Sequence, residues 1–232
     1  YAGYKTLKKT ALHILSKGVK ILSVFAFSTE NFKRSQEEVG YLMNLFVSAF
    51  KSDMHFFLDN NIRVVFSGRK EPLSDEVYGV MKTLEKETLN CTGGIFNVCL
   101  NYGGQFEIVD AAKKLATMYR DGEVNLDDVT PENFYSYLYN DLPPVDLMIR
   151  TSGELRISNF MLYSLAYSEL YFADVYFPDF KEEEFDKALL EYQRRDRRFG
   201  GIKDETRQEI YRQQEADRQH EALRSRRGDR AG

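Results

Sequence analysis

The chain is poor in the residues that build metal and disulfide sites. Its 232 residues include two cysteines, Cys91 and Cys99, and three histidines, His13, His55 and His220. The cysteines make no Cys-x-x-Cys pair and no histidine is spaced to join them, so neither a zinc site nor a disulfide framework is expected. The two thiols read as buried free thiols in a reducing cytosol. No run of 18 apolar residues occurs, so the chain offers no transmembrane helix, and no secretory signal pattern is visible. A basic excess is also missing. Lys and Arg number 32 against 36 Asp and Glu, a formal charge of −4. That balance argues against a nucleic-acid partner, although the arginines are clustered enough to make local positive patches. The chain begins at Tyr1 rather than Met, and its native beginning is expected to be missing.

What is present is a well-supplied core, with 43% apolar residues, and an alternation of strand-like and helix-like segments. Residues 20–27 form a continuous apolar run, as a strand covered on both faces would. Strands are also expected at 62–68, 94–100, 145–149 and 170–175. Helices are expected at 36–58, 74–89 with Ser74 as cap, 104–120 ending near Gly122, 131–139 with Thr130 before Pro131, 159–166 and 182–194. Strands separated by helices imply crossovers. The fold class is therefore α/β: a single domain with a mostly parallel central sheet flanked by helices. The domain is expected to span 1–202. Residues 203–232 are dominated by Arg, Glu, Gln and Asp and read as a charged tail, helical or disordered.

The most informative stretch runs from Arg150 to Phe160. Two arginines, Arg150 and Arg156, a glycine turn at Gly153 and a hydroxyl, Ser158, follow directly on the strand at 145–149. Arginine presents a rigid fork of donors matched to phosphate oxygens. Open α/β sheets bind ligands at the C-terminal ends of their strands. The segment thus points to a phosphate, and more specifically a diphosphate. The first strand also ends in a polar cluster, Ser28-Thr29-Glu30-Asn31-Phe32-Lys33-Arg34. There Ser28 and Arg34 can hold an anion and Asn31 can hydrogen-bond a reacting group; a capped turn accounts for the same residues equally well. The glycines in Asn101-Tyr102-Gly103-Gly104 lack phosphate-loop or dinucleotide spacing and read better as a tight strand-to-helix turn. Residues 39–50 are apolar on more than one face. Core packing is the commoner cause of that pattern; lining an apolar cavity is the other. Glu169 lies in an otherwise apolar stretch, and a carboxylate near bound diphosphate implies Mg²⁺. Arginines at 194–198, before Gly200 and Gly201, suit a helix C-terminus and also a second set of phosphate donors reaching a neighbouring subunit.

These motifs together resemble the cis-prenyltransferases, in particular the bacterial undecaprenyl diphosphate synthases. The motifs quoted from Phe27 to Arg34, from Asn101 to Gly104 and from Arg150 to Phe160, with Glu169-Leu170-Tyr171-Phe172 and Arg197 to Gly201, occur in the family's order and spacing. The resemblance runs from Tyr1 to about Gly201. It implies a homodimer of α/β subunits with an apolar tunnel. It also implies Mg²⁺-dependent, repeated cis-addition of isopentenyl diphosphate to an allylic diphosphate such as farnesyl diphosphate. The product would be a long-chain carrier lipid for cell-wall glycan synthesis, made in the cytoplasm with peripheral membrane contact for its release. Residue by residue, the resemblance assigns Arg150, Arg156, Ile157 and Ser158 to isopentenyl diphosphate. It assigns Ser28, Thr29, Glu30, Phe32 and Arg34 to the lining of the substrate site, Asn31 to proton removal and Glu169 to the metal. Arg198 and Gly200 would complete the partner's site.

One departure stands out. The family's opening strand, ending in Met-Asp-Gly-Asn with the metal-binding Asp, is absent, and Tyr1 falls just after it. The fragment alone is therefore expected to be inactive. Leu155 also replaces a histidine found in some relatives. Gly94 is small where bulk would close a tunnel floor. Two alternatives stand beside the enzyme: a non-catalytic cis-prenyltransferase-like partner subunit and, more remotely, a nucleotide-dependent enzyme.

Overall fold

A computed structural model describes residues 2–195. By contacts the chain divides into Tyr1–Tyr192 and Gln193–Gly232. The first unit carries everything below. The second enters only with its first three residues, so the expected boundary at 202 and the tail at 203–232 lie outside the described residues, as do Arg198 and Gly200.

The elements in order are α1 (Ala2–Ser16), β1 (Ile21–Ser28), α2 (Gln36–Ser52), α3 (Met54–Asp59), β2 (Ile62–Ser67), α4 (Asp75–Glu87), β3 (Gly94–Tyr102), α5 (Gly104–Arg120), β4 (Leu147–Arg150), β5 (Glu169–Phe172) and α6 (Glu182–Arg194). Every strand pair is parallel, as helical crossovers require. The expected central sheet is made of two pieces. One has the order β1-β3-β2 and the other is the pair β4-β5. β3 holds the centre of the larger piece and is buried almost along its length. Its Asn97 is fully buried but satisfied, accepting from the Ser67 hydroxyl at 2.9 Å and donating to Ser23 Oγ at 3.0 Å. Burying such an amide without partners would cost a few kcal/mol.

Two hydrophobic clusters matter for the site. The larger packs α2, α3 and α4 over the first sheet through Val47, Phe50, Phe57, Leu84 and Leu100. The second joins the C-terminal half of β3 to β4 through Cys99, Tyr102, Met148, Met161 and Leu165, with Phe25 and Phe160 against it. Phe25 stacks on Phe160 at 4.8 Å between centroids and meets Tyr102 edge to face at 5.9 Å. These contacts bring the end of β1, the end of β3 and the loop after β4 into one place.

Several sequence expectations change. The long helix at 36–58 is two helices, because Asp53 interrupts it. Its buried carboxylate accepts from Lys8 Nζ at 2.9 Å and from the Tyr4 hydroxyl, both on α1. α1 itself was not anticipated. Val39, Leu42, Met43 and Phe46 of α2 are partly buried against the larger cluster, while Tyr41 is exposed. The segment 131–139 keeps only a 3₁₀ turn, Phe134–Tyr137. Residues 159–166 form turns, not a helix. Ser158, Asn159 and Met161 take φ of +50°, +62° and +41°, outside the right-handed helical region. Met161 and Leu165 there are buried and Phe160 and Leu162 half-buried, while Ala166 is exposed. Gly94 serves packing: a Cβ on it would sit 2.8 Å from Leu15 Cδ2 of α1.

Candidate functional site

Register places the site. Ser28 pairs with Tyr102 at the ends of β1 and β3, and Arg150 pairs with Phe172 at the ends of β4 and β5. At the C-terminal ends of β1 and β4 and the loops after them, a cavity of about 500 Å³ opens, lined by Phe25, Ser28, Glu30, Asn31, Arg150, Ser158 and Asn159. Its wall mixes one aromatic face, hydroxyl and amide groups, one cation and one carboxylate.

Arg150 Nη1 donates to Ser158 Oγ at 2.9 Å. Eight residues apart in sequence, the two are brought together by the turn between them. Ser152 N–H and Gly153 N–H donate to the carbonyls of Val175 and Ala173 at 2.8 and 3.0 Å, which pins that turn to the loop after β5. Gly153 has φ +64°, and a Cβ there would lie 2.9 Å from Asp174 Oδ1, so glycine is required.

On the other side, the Ser28 N–H donates to Asn31 Oδ1 at 2.9 Å. A backbone N–H can only donate, so this bond fixes which end of the Asn31 amide faces Ser28 and leaves both Nδ2 hydrogens and the second lone pair of Oδ1 for the cavity. Glu30 accepts from Asn159 Nδ2 at 3.0 Å. Partial burial pushes its carboxyl up, but hydrogen bonds from its own backbone N–H, from Asn159 and from Ser28 outweigh this and hold it below the usual carboxylate value. Glu30 is therefore an anion at neutral pH.

Other expected site residues stand apart from the cavity. Arg156 is exposed and paired with Glu154. Arg34, just before α2, pairs with Glu38 in the first turn of that helix at 2.6 Å. Ile157 packs against the second cluster, and Phe32 packs edge to face on Phe27 at 4.9 Å between centroids. Thr29 lies under the strand end, where its Oγ1 would be 2.8 Å from a Cβ on Gly103. Glu169 opens β5 opposite Leu147, three residues before the pair that carries Arg150, or roughly 10 Å along the strand. The structure does not bring Glu169 to the Arg150 cavity.

The donor set bears on Mg²⁺. Glu30 is the carboxylate among the lining residues, and one of its oxygens already accepts from Asn159. Among the described residues no three His, Cys, Asp or Glu side chains gather where they could hold a metal ion. These residues do not fit an ion held by the protein alone. Cys91 and Cys99 are free thiols. No helix among the described residues is long and apolar enough to cross a membrane.

Sequence reasoning missed two lining residues, Phe25 and Asn159. Phe25 was hidden inside an apolar run. Asn159 carried a faint signal, an amide directly after Ser158 at a strand-end turn. The glycines at 103 and 104 do form a tight turn, with Gly104 N–H donating to Asn159 O at 2.7 Å.

Comparison with known proteins places these features in a wider set. A family model described as putative undecaprenyl diphosphate synthase matches residues 1–200. An isoprenyl transferase of Fusobacterium nucleatum is 48% identical over 201 residues, covering 87% of this chain and 85% of that protein. A ditrans,polycis-undecaprenyl-diphosphate synthase ((2E,6E)-farnesyl-diphosphate specific) of Legionella pneumophila is 46% identical, with the same coverages. Among solved structures, lavandulyl diphosphate synthase from Lavandula x intermedia, in complex with dimethylallyl diphosphate, aligns with a TM-score of 0.81 at 32% identity, covering 86% of each chain. A probable undecaprenyl diphosphate synthase from Campylobacter jejuni aligns with a TM-score of 0.75 at 32% identity, covering 86% of this chain and 92% of that one. These relatives carry enzyme names. The expectation of an inactive chain is not borne out, and the reading as a non-catalytic partner is not favoured.

Proposed function

This chain belongs to the cis-prenyltransferase family, and on that premise we propose that the cavity at Arg150 and Ser158 is where isopentenyl diphosphate is held for transfer to a growing prenyl chain. The chain is a prenyl-transferring enzyme that elongates an allylic diphosphate. The observation that carries the site assignment is the Arg150–Ser158 contact on a cavity at the strand ends. A guanidinium held against a hydroxyl that both line the cavity leaves the remaining guanidinium N–H groups and the Ser158 O–H as donors for a diphosphate.

The chemistry asked of the site is modest and electrostatic. The isopentenyl double bond attacks the allylic C1, a carbon–carbon bond forms and the C1–oxygen bond breaks with its electron pair leaving on diphosphate. A proton then leaves the added unit for an oxygen of the departing diphosphate. Arg150 and Ser158 hold the isopentenyl diphosphate head, Ser28 and the Nδ2 end of Asn31 add neutral donors, and Phe25 excludes water from the reacting carbons. Asn31 helps to remove that proton, its Oδ1 accepting from Ser28 N–H through one of two lone pairs. Arg156 joins the clamp by exchanging Glu154 for a phosphate oxygen. Arg34, Thr29 and Phe32 support the β1 side. Mg²⁺ is the cofactor the family implies; when bound it would neutralise diphosphate charge, and Glu169 would serve it away from this chain's own cavity, in a homodimer whose partner receives Arg198 and Gly200. The tail of the growing chain lies in an apolar tunnel along α2, where each added five-carbon unit gains about 3 kcal/mol if fully buried. Farnesyl diphosphate is the proposed primer, the cytoplasm the proposed compartment, with peripheral contact to a membrane for product release and carrier lipid for cell-wall glycans as the end use.

The test is incubation of the intact protein with farnesyl diphosphate, labelled isopentenyl diphosphate and Mg²⁺, followed by sizing of the labelled product. Polyprenyl diphosphates several units longer than the primer are expected. Absence of any label in product chains would overturn the proposal.

A further inference from the structure

Asn159 ties the cavity wall to two other segments through its backbone and its side chain, and no motif singled it out. Its carbonyl oxygen accepts from Gly104 N–H at 2.7 Å, its Oδ1 accepts from Gln105 N–H at 2.9 Å, and its Nδ2 donates to Glu30 Oε1 at 3.0 Å. One residue thereby ties the loop after β4 to the first turn of α5 and to the loop after β1. The next residue towards β4 is Ser158, the hydroxyl that receives Arg150.

Chemistry restricts what can stand at this position. Gln105 N–H can only donate, and the ionised Glu30 can only accept, so the side chain between them must accept at one end and donate at the other. A carboxylate would set two anions face to face; an aliphatic chain would give up both bonds and the tether they make between the loops. The backbone restricts it as well. Asn159 has φ +62°, between Ser158 at +50° and Met161 at +41°. Asn tolerates the left-handed region better than any other residue with a side chain except Asp. Backbone held in that region costs about 1–3 kcal/mol per residue and persists where the surroundings over-determine it, commonly at ligand sites. The surroundings here include the glycine pair: a Cβ on Gly103 would come within 2.9 Å of Asn159 Nδ2, and one on Gly104 within 3.1 Å of Asn159 O.

We propose that Asn159 is a positioning residue of the diphosphate pocket. By tethering Glu30 and the start of α5, it fixes the left-handed backbone that aims Ser158, and through it Arg150, into the cavity. This inference rests on the reading of that cavity as the isopentenyl diphosphate site.

The test is a double-mutant cycle in the intact protein, read as KM for isopentenyl diphosphate with farnesyl diphosphate saturating. Asn159→Asp keeps tolerance of the left-handed backbone and the acceptor for Gln105, but turns a second anion on Glu30. Glu30→Gln beside it restores a donor facing the new carboxylate. With Glu30 present, Asn159→Asp is expected to raise KM at least about tenfold while kcat changes less than about threefold. In the Glu30→Gln background the same substitution is expected to cost less than about threefold, whatever Glu30→Gln costs by itself. Asn159→Gly, which fits the backbone but supplies neither bond, is expected to raise KM about tenfold in both backgrounds. It carries the test alone if Asn159→Asp does not fold. Equal costs of Asn159→Asp in the two backgrounds, or an unchanged KM in either single variant, would overturn the inference while leaving the site assignment intact. A wild-type protein that incorporates no isopentenyl diphosphate would overturn both.

Discussion

Two glutamates of the fold are shifted in opposite directions. Glu30, on the cavity wall, is kept ionised by hydrogen bonds. Glu107, in the first turn of α5, is 5% exposed, and burial pushes its carboxyl above the ordinary value despite hydrogen bonds from the Tyr102 hydroxyl and the Tyr139 backbone. Burial likewise pushes the Tyr102 hydroxyl up, with the Glu107 charge adding to it. A raised native pKa stabilises the fold below the unfolded carboxylate value, and that contribution is lost as pH rises through the native value. Replacing Glu107→Gln keeps an acceptor for Tyr102 and removes the titration. Urea unfolding followed from about pH 4 to pH 8 is therefore expected to show a smaller loss of stability with rising pH in the variant than in the wild type. Parallel curves would refute this account of Glu107. At this scale the sequence was legible where chemistry clustered locally. Arg150 and Ser158 are eight residues apart and announced themselves. Asn159 meets Glu30 across 129 positions, a pairing that no local pattern reports.

The elements were legible where their ends carry local signals. α5 and α6 run over the expected residues, and α4 starts after Ser74, whose Oγ accepts from Val77 N–H at 3.3 Å. The misreadings arose where a tertiary contact overrides the pattern. Asp53 breaks the long helix because α1 captures its carboxylate. The segment after Ser158 has the apolar spacing of a helix but is turned to bring Asn159 against α5. The glycines at 103 and 104 are the element-level counterpart of that turn. A Cβ on Gly104 would lie 2.7 Å from Leu162 Cγ and 2.9 Å from Leu162 N. Because one of those atoms is backbone, Gly104→Ala is expected to cost about 1–3 kcal/mol. It is also expected to lower kcat/KM for isopentenyl diphosphate by displacing the 158–162 segment. Chemical denaturation and steady-state kinetics on the same preparation check both. Unchanged values would mean that the segment adapts freely.

For the whole molecule, a parallel sheet in two pieces serves as the scaffold, and the cavity sits where both pieces end. The parallel α/β class followed from alternating segments alone, but the split into β1-β3-β2 and β4-β5 did not, since strand pairing is settled by packing of the second cluster between them. The scaffold rests on β3. Leu100, fully buried in that strand, belongs to the larger cluster, and Leu100→Ala is expected to cost about 2–5 kcal/mol, measured as a loss of unfolding free energy in urea. A loss under about 1 kcal/mol would place the core elsewhere. The most direct test of the central claim is KM for isopentenyl diphosphate in Arg150→Ala, with farnesyl diphosphate saturating. Loss of a charge-assisted diphosphate contact is worth roughly 1.5–3 kcal/mol, or about 10- to 150-fold. A rise of at least tenfold in that KM, with KM for farnesyl diphosphate within about threefold of wild type, is the predicted result. An unchanged KM for isopentenyl diphosphate would contradict the assignment of this cavity.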